Sequence, residues 1–285
     1  MAITPVVLIL STPHAGSHLL SQLLGAHSQC ISIGELHNYR KFRDRPKERN
    51  VIDNYSEDPI FAELDHLPIS GWHTSILERA KQQNPAVTTL VDNSKQVRWC
   101  ARLRRNDVLD VRPVHLIRDP RALVRYWFYA YTDRRRVRQQ RIRHARMAPL
   151  SAFHLLTCSE LDLYIGKWLV RNKAVTGMLG KMRCSQNVVS YHDLATRTAS
   201  ELPRLVAFLG LPYERDQLNY GRAEQHGTLK REYKGASETS QITFDTRWVE
   251  DLESEQIDYI SNHQLVLDYL DSIGLELGAR GITRR

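Results

Sequence analysis

Long apolar runs are missing: no stretch of the 285 residues approaches the ~20 apolar positions a membrane span requires. Met1-Ala2-Ile3-Thr4 has no basic region and runs straight into an apolar segment, so no signal peptide is expected. The four cysteines, at 30, 100, 158 and 184, lie far apart and form no CxxC pair. Free thiols in a reducing compartment follow, and the expected location is the cytoplasm. His18, His115, His192 and His226 show no metal-ligand spacing and are expected to be structural. There is no internal repeat, no low-complexity linker and no break in composition, so residues 1–285 are read as a single domain.

Acidic residues are also in deficit. The chain carries 40 Lys plus Arg against 32 Asp plus Glu, a formal net charge of +8. That balance suits an anionic ligand, a nucleic acid or an anionic surface. The excess is concentrated in residues 134–146, which hold seven Arg in thirteen positions. Such a run reads as a solvated helical face or a mobile segment. It lacks the interleaved aromatics of a single-strand platform, and nucleic acid is not the expected partner.

What is present starts at the N-terminus. Pro5-Val6-Val7-Leu8-Ile9-Leu10 is a continuous apolar run rich in β-branched residues and reads as a buried parallel strand. Ser11 to Ser17 is small and polar, with Gly16 allowing a tight turn. Leu19, Leu20, Leu23 and Leu24 then fall on one helical face. Strand, small-residue loop and helix present free N–H groups and a positive dipole end to an anion. A nucleoside triphosphate with its metal is disfavoured, because Ala15-Gly16-Ser17-His18 lacks the Lys of a Gly-Lys-Ser/Thr loop. An ordinary strand–loop–helix at the start of an α/β domain remains the competing reading.

Further strands are expected at residues 30–33, 88–92, 114–117 and 187–191. Helices are expected at 72–83, 97–103, 122–131, 155–179, 200–209 and 248–273. The alternation implies an α/β fold, a three-layer α/β/α arrangement around a central parallel sheet. Ligands bind such sheets at the carboxyl ends of the strands. His14 to Ser17, Ser94, Lys95, Arg118 and Tyr191 all sit at those ends. Residues 38–86 and 132–154 read as excursions from the core that shape an acceptor pocket.

Four ordered blocks carry a family resemblance. They are TPHAGSHLL (12–20) with GEL (34–36), VDNSK (91–95), VHLIRDPRALV (114–124), and VVSYHDL (188–194) followed by LVAFLGLP (205–212). Together they resemble the sulfotransferases that use 3′-phosphoadenosine-5′-phosphosulfate (PAPS), in the branch containing tyrosylprotein, bacterial and carbohydrate enzymes. The resemblance implies a P-loop-like cradle for the 5′-phosphosulfate at Pro13, His14, Ala15, Gly16, Ser17 and His18, with His14 standing where the family has Arg. It implies that Arg118 binds the 3′-phosphate. Tyr126 stands eight residues after Arg118, where the family usually has Ser, with Arg125 as an alternative compensation. Tyr191 falls near the nucleotide, and Lys230 and Arg231 in a closing basic loop.

Sulfuryl transfer requires an oriented acceptor, a base for its proton and cations for the leaving phosphate. Lys95 is the candidate for the bridging oxygen. Glu35 lies 21 residues after His14 and matches a family base; His37 is the competing base. Asp92 is expected to orient Lys95 or cap the next helix, and Asp119 to cap the helix after RDP. The implied activity is metal-independent transfer from PAPS to a hydroxyl acceptor (a small molecule, carbohydrate or peptide), with the bisphosphate PAP as product. The alternatives are a PAP/PAPS-binding protein without transferase activity and a P-loop-type nucleotide kinase.

Overall fold

The computed structural model describes residues 3–43, 51–52, 55, 58–182, 187–222, 226, 229–230 and 242–285. Five parallel strands form the central sheet: β1 (Thr4–Ser11), β2 (Cys30–Ser32), β4 (Thr89–Asp92), β5 (Leu109–Ile117) and β6 (Asn187–Ser190), in the order β2-β4-β1-β5-β6. β1 is central, and Val6 to Leu10 are fully buried. Side chains alternate across a strand. Val6, Leu8 and Leu10 therefore join one core, with Leu90, Trp72, Ile76 and Trp99. Val7 and Ile9 join the opposite one, with Leu20, Leu23, Leu24 and Val114. Burial of both faces explains why β1 reads as a continuous apolar run rather than an alternating one.

Helix α1 (Ser17–Gly25) follows β1, and α2 (Tyr39–Phe42) follows a short 3₁₀ turn after β2. α3 (Trp72–Gln83) and α4 (Val97–Leu103) precede and follow β4, as the periodicity predicts. α5 (Pro120–Ala130) starts with Asp119 accepting from the Arg121 N–H at 2.8 Å, the expected cap. α6 (Arg134–Met147) holds the Arg-rich run as an ordered helix capped by Asp133. Then come α7 (Ala152–Thr157), α8 (Glu160–Lys181), α9 (Tyr191–Thr196) and α10 (Thr198–Phe208). Two small antiparallel pairs complete the described strands: β3 (Val51–Ile52) with β7 (Leu229–Lys230), and β8 (Leu275–Leu277) with β9 (Ile282–Arg284). Among the described residues no helix is long and apolar enough to cross a membrane.

Two expected long helices are broken, each at a capping signal. Residues 155–179 divide between α7 and α8, because Ser159 accepts from the Asp162 N–H at 3.1 Å and starts a new helix. The C-terminal segment divides into Trp248–Asp251, Ser254–Ser261 and Gln264–Ser272, with a Glu253/Gln256 capping box at the first break. Within the expected 38–86 excursion, residues 58–71 form three 3₁₀ turns (Pro59–Phe61, Leu64–His66 and Ile69–Gly71) that lead into α3, with Trp72 donating to the Leu64 carbonyl at 2.8 Å.

Two histidines are sealed in the interior and kept neutral. Burial pushes the His115 imidazole down to about 4 and the His144 imidazole down to about 3. Both folded values lie below the unfolded value of ~6.5. The stability they contribute is therefore complete above that value and is lost as pH falls toward the folded ones. Acidification to about pH 5 should cost on the order of 1–2 kcal/mol for each. Urea midpoints measured at neutral and acid pH check this, and His115→Gln should flatten the dependence.

Candidate active site

The carboxyl ends of the five strands open into one cavity of about 830 Å³. Pro13, His14, Gly16, Ser17, His18, Glu35, Ser94, Lys95, Arg118, Tyr126 and Tyr191 all line it. Of the other expected residues, Ala15 turns inward and is fully buried in the core below. His37 is not among the lining residues. Lys230 lies in β7, whose side chains, like Arg231 and the rest of the basic loop to residue 235, are outside the described residues.

The loop after β1 is tightly constrained at Gly16. Gly16 precedes α1 with φ 93°, and a Cβ there would collide with the Tyr191 ring. Only glycine fits both constraints. The helix start has no side-chain cap and no acidic residue in its first turn. Its positive end therefore faces the cavity without an internal counter-charge.

Lys95 and Glu35 form the central pair. Lys95, held at φ 59°, donates from Nζ to Glu35 Oε1. Asn38 donates to Glu35 Oε2 at 2.9 Å, and His18 Nε2 lies 3.9 Å from Oε1. Burial pushes the Glu35 carboxyl up, but the charge and hydrogen bond of Lys95 outweigh it, and the net shift is downward. His37 behaves differently. Its imidazole is pushed down, chiefly by burial, and its Nδ1 has no hydrogen-bond partner. Its backbone N–H donates to Ser94 Oγ at 3.1 Å.

Asp92 does not hydrogen-bond to Lys95 and does not cap α4. It is completely buried and accepts from His73 Nε2 at 3.0 Å, Trp99 Nε1 at 2.8 Å and the Ser94 N–H at 2.9 Å. It ties α3, α4 and the 93–95 turn together, and so fixes the backbone from which Lys95 projects.

Arg118 is built into the wall between β5 and α5. It donates to the His14 carbonyl at 2.7 Å and to Asp245 Oδ2 at 2.6 Å, and its Cζ lies 4.6 Å from the Tyr191 ring centroid. Trp168 Nε1 donates to the Arg118 carbonyl at 2.8 Å, which locks the backbone. Asp245 is held well below the usual carboxylate range, first by hydrogen bonding from Arg247 and then by the charge of Arg118. Arg125 pairs with Asp251, its Nε 2.6 Å from Oδ2.

The two departures from the family pattern touch each other. His14 stacks on Tyr126, with centroids 3.9 Å apart and planes 30° apart. They therefore form one unit rather than two separate losses. His14→Ala and Tyr126→Ala should be non-additive in stability, with a coupling of about 0.5–1.5 kcal/mol in a double-mutant cycle.

Asp245, Arg247 and Arg171 also line the cavity, and no motif marks them. Arg171 stands on α8, and its Nε has no hydrogen-bond partner. Burial, then the Arg143 charge, pushes its guanidinium down to about 10.

A model of the sulfotransferase family matches residues 5–215. The chain belongs to the sulfotransferase family. Its fold is similar to the sulfotransferase domain from the curacin biosynthetic pathway, at 20% identity, with 93% of this chain and 98% of that chain covered and a TM-score of 0.52. It is also similar to the sulfotransferase domain of the Synechococcus PCC 7002 olefin synthase, at 16% identity, with 97% of each chain covered and a TM-score of 0.53. No curated protein sequence matches the chain. The family match takes in all four sequence blocks and ends before Asp245 and Arg247.

Proposed function

We propose that this sulfotransferase takes PAPS as donor and a hydroxyl compound as acceptor, and that residues 1–285 form one domain. The observation that carries the reading is the uncapped start of α1 behind Gly16, opening into the same cavity as the Lys95–Glu35 pair and Arg118. The Pro13–His18 loop would hold the 5′-phosphosulfate and Arg118 the 3′-phosphate, with Tyr191 beside the nucleotide. PAPS supplies an activated sulfuryl group whose leaving group is a phosphate. The chain's own work is to position and to move one proton. Glu35 Oε accepts the acceptor's hydroxyl proton, while Lys95 Nζ is placed to stabilise charge on the leaving oxygen.

Glu35 is preferred to His37 because it lines the cavity, is held ionised by Lys95, and has a hydrogen-bonded second oxygen. The same ion pair keeps Lys95 beside the base until an anionic donor competes for its charge. A binding protein that has lost transfer is the second reading. What favours it is the His14–Tyr126 stack standing where the family has Arg and Ser.

The deciding measurement is thermal stability with PAP against ATP plus Mg²⁺. A ligand that binds only the folded state stabilises it by about 2.7 kcal/mol at a hundred times its Kd. PAP should raise Tm and ATP with Mg²⁺ should do much less; equal shifts would sink the donor assignment. Label transfer from PAPS to a panel of phenols, sugars and aliphatic alcohols then separates enzyme from binding protein.

A further inference from the structure

The Arg-rich run and the residues after it form a helical pair whose outer surface the cleft does not use. The inner side of α6 is occupied: Val137, Gln140, His144 and Ala145 are buried. Lys167 of α8 donates to Gln140 at 3.1 Å, and Arg141 donates to the Leu155 carbonyl of α7 at 3.2 Å. Six of the seven arginines (134, 135, 136, 138, 143 and 146) point outward and are exposed. From residue 134 to residue 159 there is no Asp or Glu.

The turn joining the two helices is apolar. Leu150 is fully exposed, Phe153 is 82% exposed, and Met147 and Leu156 are 44% and 47% exposed. Phe153 and Leu156, three apart on α7, share a face. These four are clustered within ten residues, whereas the other exposed large apolar side chains of the described residues are scattered along the chain. Arg143 and Arg146, in the last turn and a half of α6, stand at this same end.

We propose that this tip docks on the surface of an anionic lipid bilayer, with Leu150 and Phe153 entering the headgroup–acyl boundary and the α6 arginines facing the lipid phosphates. Apolar insertion together with a basic flank is what interfacial binding requires. A second copy of the chain fits poorly, since a two-fold contact there would set arginine runs against each other. Nucleic acid would satisfy the arginines and leave the projecting leucine and phenylalanine exposed to water. An acidic protein would need a concave apolar seat to receive side chains this prominent.

The test is co-sedimentation of the full chain with phosphatidylcholine vesicles, with and without phosphatidylserine, at low and high salt. Wild type should bind only the phosphatidylserine vesicles, and less at high salt. Leu150→Ser/Phe153→Ser and Arg143→Gln/Arg146→Gln should each lower the partition coefficient by about tenfold or more. Phe153→Trp should show a blue-shifted emission on the same vesicles. All variants alter exposed residues, and an unchanged melting temperature confirms that they fold.

No binding of wild type to phosphatidylserine vesicles overturns the proposal. So does binding that Leu150→Ser/Phe153→Ser leaves intact, which would be charge attraction alone. Tighter binding to duplex DNA than to vesicles, or a dimer that the Leu150→Ser/Phe153→Ser pair dissolves, overturns it in favour of those partners.

Discussion

Arg118→Ala should weaken PAP binding by on the order of 2–4 kcal/mol, read by isothermal titration. A guanidinium suits a phosphate through paired charged hydrogen bonds, and a truncated side chain supplies neither charge nor donors. The structure refines the expectation. Arg118 already spends donors on the His14 carbonyl and on Asp245, so a phosphate must share it with a carboxylate. Asp245→Asn should then tighten PAP binding or leave it unchanged, because removing an anion beside the phosphate site removes repulsion. Opposite signs for the two variants would identify a phosphate subsite. If Arg118→Ala left PAP affinity intact, the residue would serve only to anchor the β1 loop through the His14 carbonyl.

The strand, turn and helix start at the N-terminus were legible because their features are local. An apolar run, a glycine and a helical face follow one another within about twenty residues. The convergence of Ser94, Lys95, Arg118 and Tyr191 was legible one step further on, since parallel strands deliver their carboxyl ends to one edge; Glu35 was found only through the family resemblance. Asp245 and Arg247 were not legible. They reach the cavity from beyond the family match, on a segment without regular structure, and their role depends on meeting a guanidinium 127 residues away.

The partners of Asp92 were misread for a related reason. The sequence shows its near neighbour Lys95, but burial decides its partners, and a fully buried carboxylate takes the donors that share its burial, His73 and Trp99. The helix breaks at Ser159 and Glu253 did carry signals, Ser-x-x-Asp and Glu-x-x-Gln. Apolar periodicity continuing across them concealed both. The His14–Tyr126 stack could not be seen in one dimension at all: two departures 112 residues apart become a single contact only in the fold.

Glu35→Gln should slow sulfuryl transfer by roughly 10²–10⁴, the usual contribution of a general base, with PAP affinity barely changed. The amide keeps the shape and can still hydrogen-bond, but it cannot take the acceptor's proton. His37→Gln should leave most activity intact, since His37 does not line the cavity. Lys95 makes the sharper case because it acts twice. Lys95→Met should slow transfer by removing the cation at the leaving oxygen, and should weaken binding of the sulfated donor. It should also release Glu35 from its ion pair. Burial already pushes that carboxyl up, and the lysine is the largest of the influences that pull it down, ahead of His18 and His37. The acid limb of the pH–rate profile should therefore move to higher pH in Lys95→Met, because the base must lose its proton to act. In wild type the depressed carboxyl keeps that limb well below neutrality. Single-turnover transfer measured across pH for both proteins reads the shift directly. A slower Lys95→Met with an unmoved acid limb would mean that Glu35 is not the group titrating, and the base would have to be sought elsewhere. If Glu35→Gln retained a near-normal rate while His37→Gln was inactive, that base would be two residues along.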